Sequence, residues 1–210
     1  LARKKQARRV KDKWKSKQWY RILAPEFFGS GEIGNTLADD PEKVIGRTVE
    51  TTLASLINDY SNQNDYKKLT FRIFNTSGET AYTKLTKYEM TRDYLTSLTR
   101  RRTSMIDDVV DLTTKDGYRI RVKPVCFTIK RCQTSQRREI RRVMRDIILN
   151  RGQELEFVQF VQEIVLGKIS SDIYKAAKNI YPLRRVEIKK LEVLSEPMPA
   201  VTAEKAEATA

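Results

Sequence analysis

Three carboxylates, Asp107, Asp108 and Asp111, and two thiols, Cys126 and Cys132, are the side chains whose types and spacing could carry out chemistry. Carboxylates this close suit a hard cation such as Mg²⁺, which takes oxygen ligands. Alternation along a strand, however, separates Asp107 and Asp111 from Asp108, and no phosphate-binding loop accompanies them. Charge on a solvated face, or pairing with the nearby arginines, accounts for all three. A thiolate nucleophile at either cysteine needs a basic partner, and the chain has no His, so only Lys or Arg could lower its pKa. The same absence excludes His-based triads, His general bases and His-ligated zinc. Two cysteines cannot form a four-thiolate metal site either. The run Gly29-Ser30-Gly31-Glu32-Ile33-Gly34 fits G-x-G-x-x-G. Dinucleotide chemistry needs a strand before that pattern and a helix N-terminus after it. Here Pro25 precedes it and the segment Asn35 to Pro41 follows, so it reads as part of a flexible loop. No catalytic residue, metal ligand or cofactor is expected.

With enzymology set aside, the arginines and lysines become the informative residues. The 210-residue chain carries 41 Lys and Arg against 27 Asp and Glu, a net charge of +14. The excess is clustered, which points to a polyanionic partner rather than to general solubility. Residues 1–23 hold ten basic side chains, Arg3, Lys4, Lys5, Arg8, Arg9, Lys11, Lys13, Lys15, Lys17 and Arg21, against Asp12 alone. Arg100, Arg101 and Arg102 form a second island. A third lies within 130–151, where eight basic residues face two acids, and includes Arg137, Arg138, Arg141, Arg142 and Arg145. Within it, the face of the segment 135–150 is Arg without Lys, which favours bidentate phosphate contact. No run approaches the roughly 18–20 apolar residues of a membrane-spanning helix, and a cytoplasmic protein with no membrane and no small-molecule substrate is expected.

Hydropathy patterning supplies the elements that position these charges. Residues 1–18 have no apolar periodicity and read as a basic arm, disordered by itself, that a polyanionic partner must order. Trp19, Tyr20, Ile22 and Leu23 are expected to anchor it to the core, with base stacking as the alternative for its aromatics. Residues 24–42 read as a loop. One parity over Ile45, Val49, Thr51 and Leu53, and another over Leu69, Phe71 and Ile73, signal strands; a turn at 76–79 leads into a further strand over 80–87. A helix is expected over 91–101 with Thr91 as N-cap. A second hairpin follows, Met105 to Leu112 and Tyr118 to Ile129. In its second strand Arg119, Arg121 and Lys123 share parity with Val125, Phe127 and Ile129, a conflict that a bulge near Pro124 would resolve.

The clearest stripe is Ile140, Val143, Met144, Ile147 and Ile148 on a helix over 135–150, with Gly152 as its left-handed stop. Another helix carries Phe157, Phe160, Val161, Ile164 and Val165, a shorter one spans 171–179, and 183–194 alternates as a last strand. The expected organisation is an arm at 1–18, one α+β globular domain at 19–194, and a disordered acidic tail at 195–210.

Several blocks in order resemble one known family. They are Trp19-Tyr20-x-Ile22-x-Ala24-Pro25, Ile45-Gly46-Arg47-Thr48, Thr91-Arg92-Asp93-Tyr94-Leu95-x-Ser97-Leu98-x-Arg100-Arg101, Thr113 to Tyr118, Cys126-Phe127-Thr128 and Ile180-Tyr181-Pro182-Leu183-Arg184. Over about 14–195 the chain resembles the small-subunit ribosomal proteins called S-three-a in eukaryotes and S-three-a-e in archaea (eukaryotic-type S-one), with a length and tail closer to the archaeal members. The resemblance implies an antiparallel β-barrel-like sheet flanked by helices, and a structural role on the platform of the small subunit near the mRNA exit. Its partners would be small-subunit rRNA and neighbouring ribosomal proteins, with mRNA near the exit as a further candidate. Catalysis is not implied. A non-ribosomal RNA-binding module acting in translation or RNA processing is the rival reading.

Overall fold

The structure, a computed structural model, describes residues 14–57 and 62–197. Most of the basic arm, Arg3 to Lys13, and the tail beyond residue 197 lie outside the described residues. The chain divides into two compact units, Leu1–Val49 with Phe71–Lys84, and Glu50–Thr70 with Leu85–Ala210.

In the first unit, β1 (Gln18–Leu23) pairs antiparallel with β2 (Glu32–Ala38) and parallel with the start of β5 (Thr80–Met90), Ile22 lying opposite Ala81. β4 (Lys67–Ser77) runs along β5 after a turn at Gly78, and β3 (Thr48–Thr52) runs along β4. The core is Tyr20, Ile22, Ala38, Val44, Ile73 and Ala81, backed by Ile33 and Val49. Two expectations need correction here. Residues 24–42 are not a loop throughout, because Glu32–Ala38 forms β2; Gly34 and Asn35 interrupt its apolar alternation and hide the strand. The glycine motif is a turn into that strand, with Gly29 in the left-handed region at φ 90°, so no helix follows to hold a phosphate. Trp19 does not anchor the arm either. Tyr20 and Ile22 face the core, and strand alternation turns Trp19 outward.

In the second unit, β3, β4 and β5 continue, and β5 pairs antiparallel with β9 (Leu183–Ser195). Next comes β8 (Arg119–Thr128), which also carries two short strands, β6 (Met105–Asp107) and β7 (Val110–Thr113). The α+β expectation holds. One pairing is parallel, however, and in neither unit does the strand order close on itself among the described residues, so the sheet is mixed and open. The parity conflict in β8 is resolved where it was expected. The register against β9 slips between Lys123 and Pro124. Before the slip only Ile120 and Val122 are buried, and after it Val125 to Thr128 all are.

The helices of this unit are α1 (Leu53–Ile57), α2 (Asn62–Asp65), α3 (Arg92–Leu98), α4 (Thr134–Glu154), α5 (Phe157–Leu166) and α6 (Lys168–Ala177). α3 starts after Thr91 as expected and ends before the arginine triplet. α4 begins with the Gln136 side chain accepting the Gln133 N–H at 3.0 Å, half of a capping box. It buries Ile140, Met144 and Ile148, but Gly152 does not stop it. That glycine lies inside the helix and buried, and a Cβ there would come within 2.7 Å of Leu112 Cδ1. Its smallness serves close packing of α4 on β7. Gly167, at φ 76°, is the left-handed residue between α5 and α6.

Candidate nucleic-acid interface

The candidate chemical groups are engaged elsewhere. Asp111 accepts two hydrogen bonds from Arg121, on the neighbouring strand, at 2.7 and 2.8 Å, and this pairing holds its carboxyl below the usual range. Asp108 accepts from Arg145 Nη2 at 3.2 and 3.0 Å. The reading of these acids as partners of nearby arginines is borne out for both. Cys126 and Cys132 are buried free thiols. Cys126 donates to Met144 Sδ at 3.1 Å, and burial pushes its pKa up to about 12, the reverse of what a thiolate nucleophile needs.

Five of the six arginines of α4 form two rows, and the sixth, Arg151 near its C-terminus, pairs with Asp172 at 3.2 Å. At 100° per residue, Arg137, Arg141 and Arg145 follow one another at intervals of four along one line, and Arg138 and Arg142 form the next. The first row holds the helix to the chain before and after β6. Arg137 Nη2 donates to Ser104 Oγ at 3.1 Å, Arg141 Nε to the Asp107 carbonyl at 2.9 Å, and Arg145 to Asp108. Arg138 and Arg142 are exposed and have no hydrogen bond or ion pair among the described residues.

Ser104 links this helix to the second basic island. Its N–H donates to Thr128 Oγ1 at 2.8 Å, its carbonyl accepts from the Thr128 N–H at 3.0 Å, and its hydroxyl accepts from the Cys132 N–H at 3.2 Å. The segment just before it turns sharply, with Thr103 Oγ1 donating to the Arg100 carbonyl at 2.6 Å and Arg102 in the left-handed region at φ 62°. Arg100, Arg101 and Arg102 are all exposed on this turn. Two islands some thirty residues apart in sequence are thus fastened to one polar knot. Lys130 and Arg131, exposed on the connection from β8 to α4, belong with them. Both fall inside the third basic block, 130–151, upstream of Arg137, where the site expected from the sequence begins.

Electrostatics points outward. The first turn of α4 has no acidic residue, and Arg137 and Arg138 follow directly after it. A helix N-terminus disfavours cations and favours anions, so these arginines are not there to suit the macrodipole. Guanidinium planes without carboxylate partners are suited to phosphate oxygens. Of the arm's cations, Lys15 and Lys17 are described. They belong to the first unit, where Lys17 Nζ lies 4.4 Å from the centre of the Trp14 ring.

Known proteins resemble this chain over nearly its full length. The chain is 60% identical over 202 residues to a protein of Archaeoglobus fulgidus named small ribosomal subunit protein eS1, covering 96% of each chain. Proteins of the same name from Methanothrix thermoacetophila and Desulfurococcus amylolyticus are 53% and 47% identical, over 92% and 90% of this chain and 90% and 88% of theirs. Residues 5–197 match the Ribosomal S3Ae family, and with that match over most of its length the chain belongs to this family.

Proposed function

We propose that this protein is a structural constituent of the small ribosomal subunit in the cytoplasm, and not an enzyme. Its seat would be small-subunit rRNA at the platform near the mRNA exit, contacted through the Arg100–Arg102 turn and the Arg138/Arg142 row of α4, with the basic arm at 1–18 as a second contact. The observation that carries the rRNA contact is the division among Arg137, Arg138, Arg141, Arg142 and Arg145 of α4: three are held by Ser104, Asp107 and Asp108, while Arg138 and Arg142 face solvent without a carboxylate. Binding of this kind works by charge neutralisation and shape. An RNA duplex offers phosphates and 2′-hydroxyls more readily than base edges, so sequence-specific reading is not required. Neighbouring small-subunit proteins are its other partners, and mRNA passing the exit is within the same reading.

Sedimentation of cell lysate tests it. Co-migration with small subunits after a moderate salt wash, and protection of platform rRNA that disappears when the protein is left out, are the expected results. Recovery in the non-ribosomal pool would instead favour a free-standing RNA-binding factor.

A further inference from the structure

The first unit carries a second surface of different chemistry. Its three adjacent strands β1, β5 and β4 turn Tyr20, Ile22, Ala81, Phe71 and Ile73 into the core. Alternation then turns Trp19 and Arg21 of β1, Tyr82 and Lys84 of β5, and Arg72 and Phe74 of β4 to the other face. A solvated sheet face is ordinarily polar. This one exposes Trp19 at 63%, Phe74 at 48% and Tyr82 at 41%. The rings are not used up on one another, since no ring contact joins any two of the three among the described residues. Cations are interleaved with them. Lys84 Nζ lies 4.9 Å from the centre of the Phe74 ring, and the Arg21 and Arg72 guanidiniums have no partner among the described residues. The three strands contribute no carboxylate to this face.

We infer that this face binds a single-stranded segment of small-subunit rRNA, its bases stacking on Trp19, Tyr82 and Phe74 and its phosphates meeting Arg21, Arg72 and Lys84. Aromatic rings alternating with cations fit unpaired nucleotides, because every base has a π-face and every linkage a phosphate, whereas a duplex hides its base faces. Arg21, Arg72 and Lys84 set between the rings, with no carboxylate from these three strands, favour a polyanion over a protein partner. The occupant is taken to be resident rRNA because β1 directly continues the basic arm that the proposed function assigns to rRNA. The surface is otherwise independent of the α4 arginines, which belong to the other unit.

The test uses the full chain with Trp14→Phe, which leaves Trp19 as its one tryptophan. A single-stranded RNA of about 12 nucleotides, within the site size of one stacking module, should quench Trp19 emission, and the same sequence as a duplex should not. Replacing one ring by alanine should weaken single-strand binding by about 5- to 150-fold, the range for one stacked base. Trp19→Phe with Tyr82→Phe should retain it, which separates stacking from a folding defect. Arg138→Gln with Arg142→Gln should leave the quench intact, so failure of the α4 reading and failure of this one are told apart. In small subunits rebuilt with a photoreactive residue in place of Tyr82, the adduct should fall on an unpaired rRNA nucleotide. Unchanged affinity after Trp19→Ala, Phe74→Ala and Tyr82→Ala together would overturn the inference, as would an equal loss of duplex binding or an adduct only on protein or mRNA.

Discussion

Arg145 reaches from α4 to Asp108, in the connection between β6 and β7, and fastens the helix there with both carboxylate oxygens 3.0–3.2 Å from Nη2. Arg142, three residues earlier on the same helix, has no such partner among the described residues. Neighbouring guanidiniums of one sequence island therefore do different work, and substitution should separate them. Arg138→Gln with Arg142→Gln should lower the slope of log affinity against log salt by about two, one for each phosphate no longer neutralised. Stability should stay within about 0.5 kcal/mol, as for ordinary surface changes. Arg141→Gln with Arg145→Gln should cost about 1 kcal/mol in chemical denaturation and change the slope less, since these side chains are partly exposed and their pairing is modest. Salt titration of rRNA binding alongside urea melts checks both halves. Equal slopes for the two double variants would remove the distinction.

The approach of Gly152 to Leu112 makes a second expectation. A methyl group at 152 meets Leu112 Cδ1 at 2.7 Å, Cδ2 at 3.2 Å and Cγ at 3.3 Å, so the whole buried side chain must move. Overpacking costs about 1–3 kcal/mol, offset by about 1 kcal/mol of better helix propensity. Gly152→Ala should therefore destabilise by up to about 2 kcal/mol. In a Leu112→Ala background the clash is gone, and the same change should be neutral or stabilising. The double-mutant cycle measures this coupling directly, and additivity would mean that the packing here is looser than the geometry requires.

Cys126 titrates in a direction that can be followed. Burial raises its pKa from an ordinary value of 9.0 to about 12, so the folded state holds the proton after the unfolded chain has given it up. Its contribution to stability is complete below pH 9 and is lost as pH rises from there through about 12. Over that window Cys126→Ala should flatten the fall of stability with pH by up to about 1.4 kcal/mol per pH unit, whatever the cavity does to the absolute value. Tyr94, raised to about 12 mainly by burial, titrates in the same window, so alkaline sensitivity is reduced and not abolished. At pH 8 a thiol reagent should label Cys126 only after denaturation. Rapid labelling of the native protein would contradict its burial.

These three cases show what was legible in the chain. The apolar line of α4 was readable because Ile140, Met144 and Ile148 repeat at the helix period, and the bend in β8 because parity fails at Pro124. β2 was not, since Gly34 and Asn35 break its alternation and its strand character depends on pairing with β1. Nor was the parallel contact of β1 with β5, which joins residues about sixty positions apart. The arginines of α4 could be placed on one broad face by spacing. Their division into held and free rows depends on Ser104, Asp107 and Asp108, more than thirty residues upstream of the groups they hold, and nothing in the local pattern encodes it.

The basic arm offers the last expectation. Deleting residues 1–13 removes Arg3, Lys4, Lys5, Arg8, Arg9, Lys11 and Lys13 but keeps Lys15, Lys17 and the Trp14 ring, as well as all of β1. The core of the first unit starts at Tyr20, so the thermal unfolding midpoint should not move. If the arm lies along rRNA phosphates, affinity should drop, and the salt slope should shrink by about one for each phosphate the arm had neutralised, up to about seven. Restoring the seven positions as Lys, whatever their original identity, should recover most of the slope, because counterion release counts charges and not side-chain geometry. A truncated protein with the full slope would place the arm away from the RNA, and a lowered midpoint would place it in the fold.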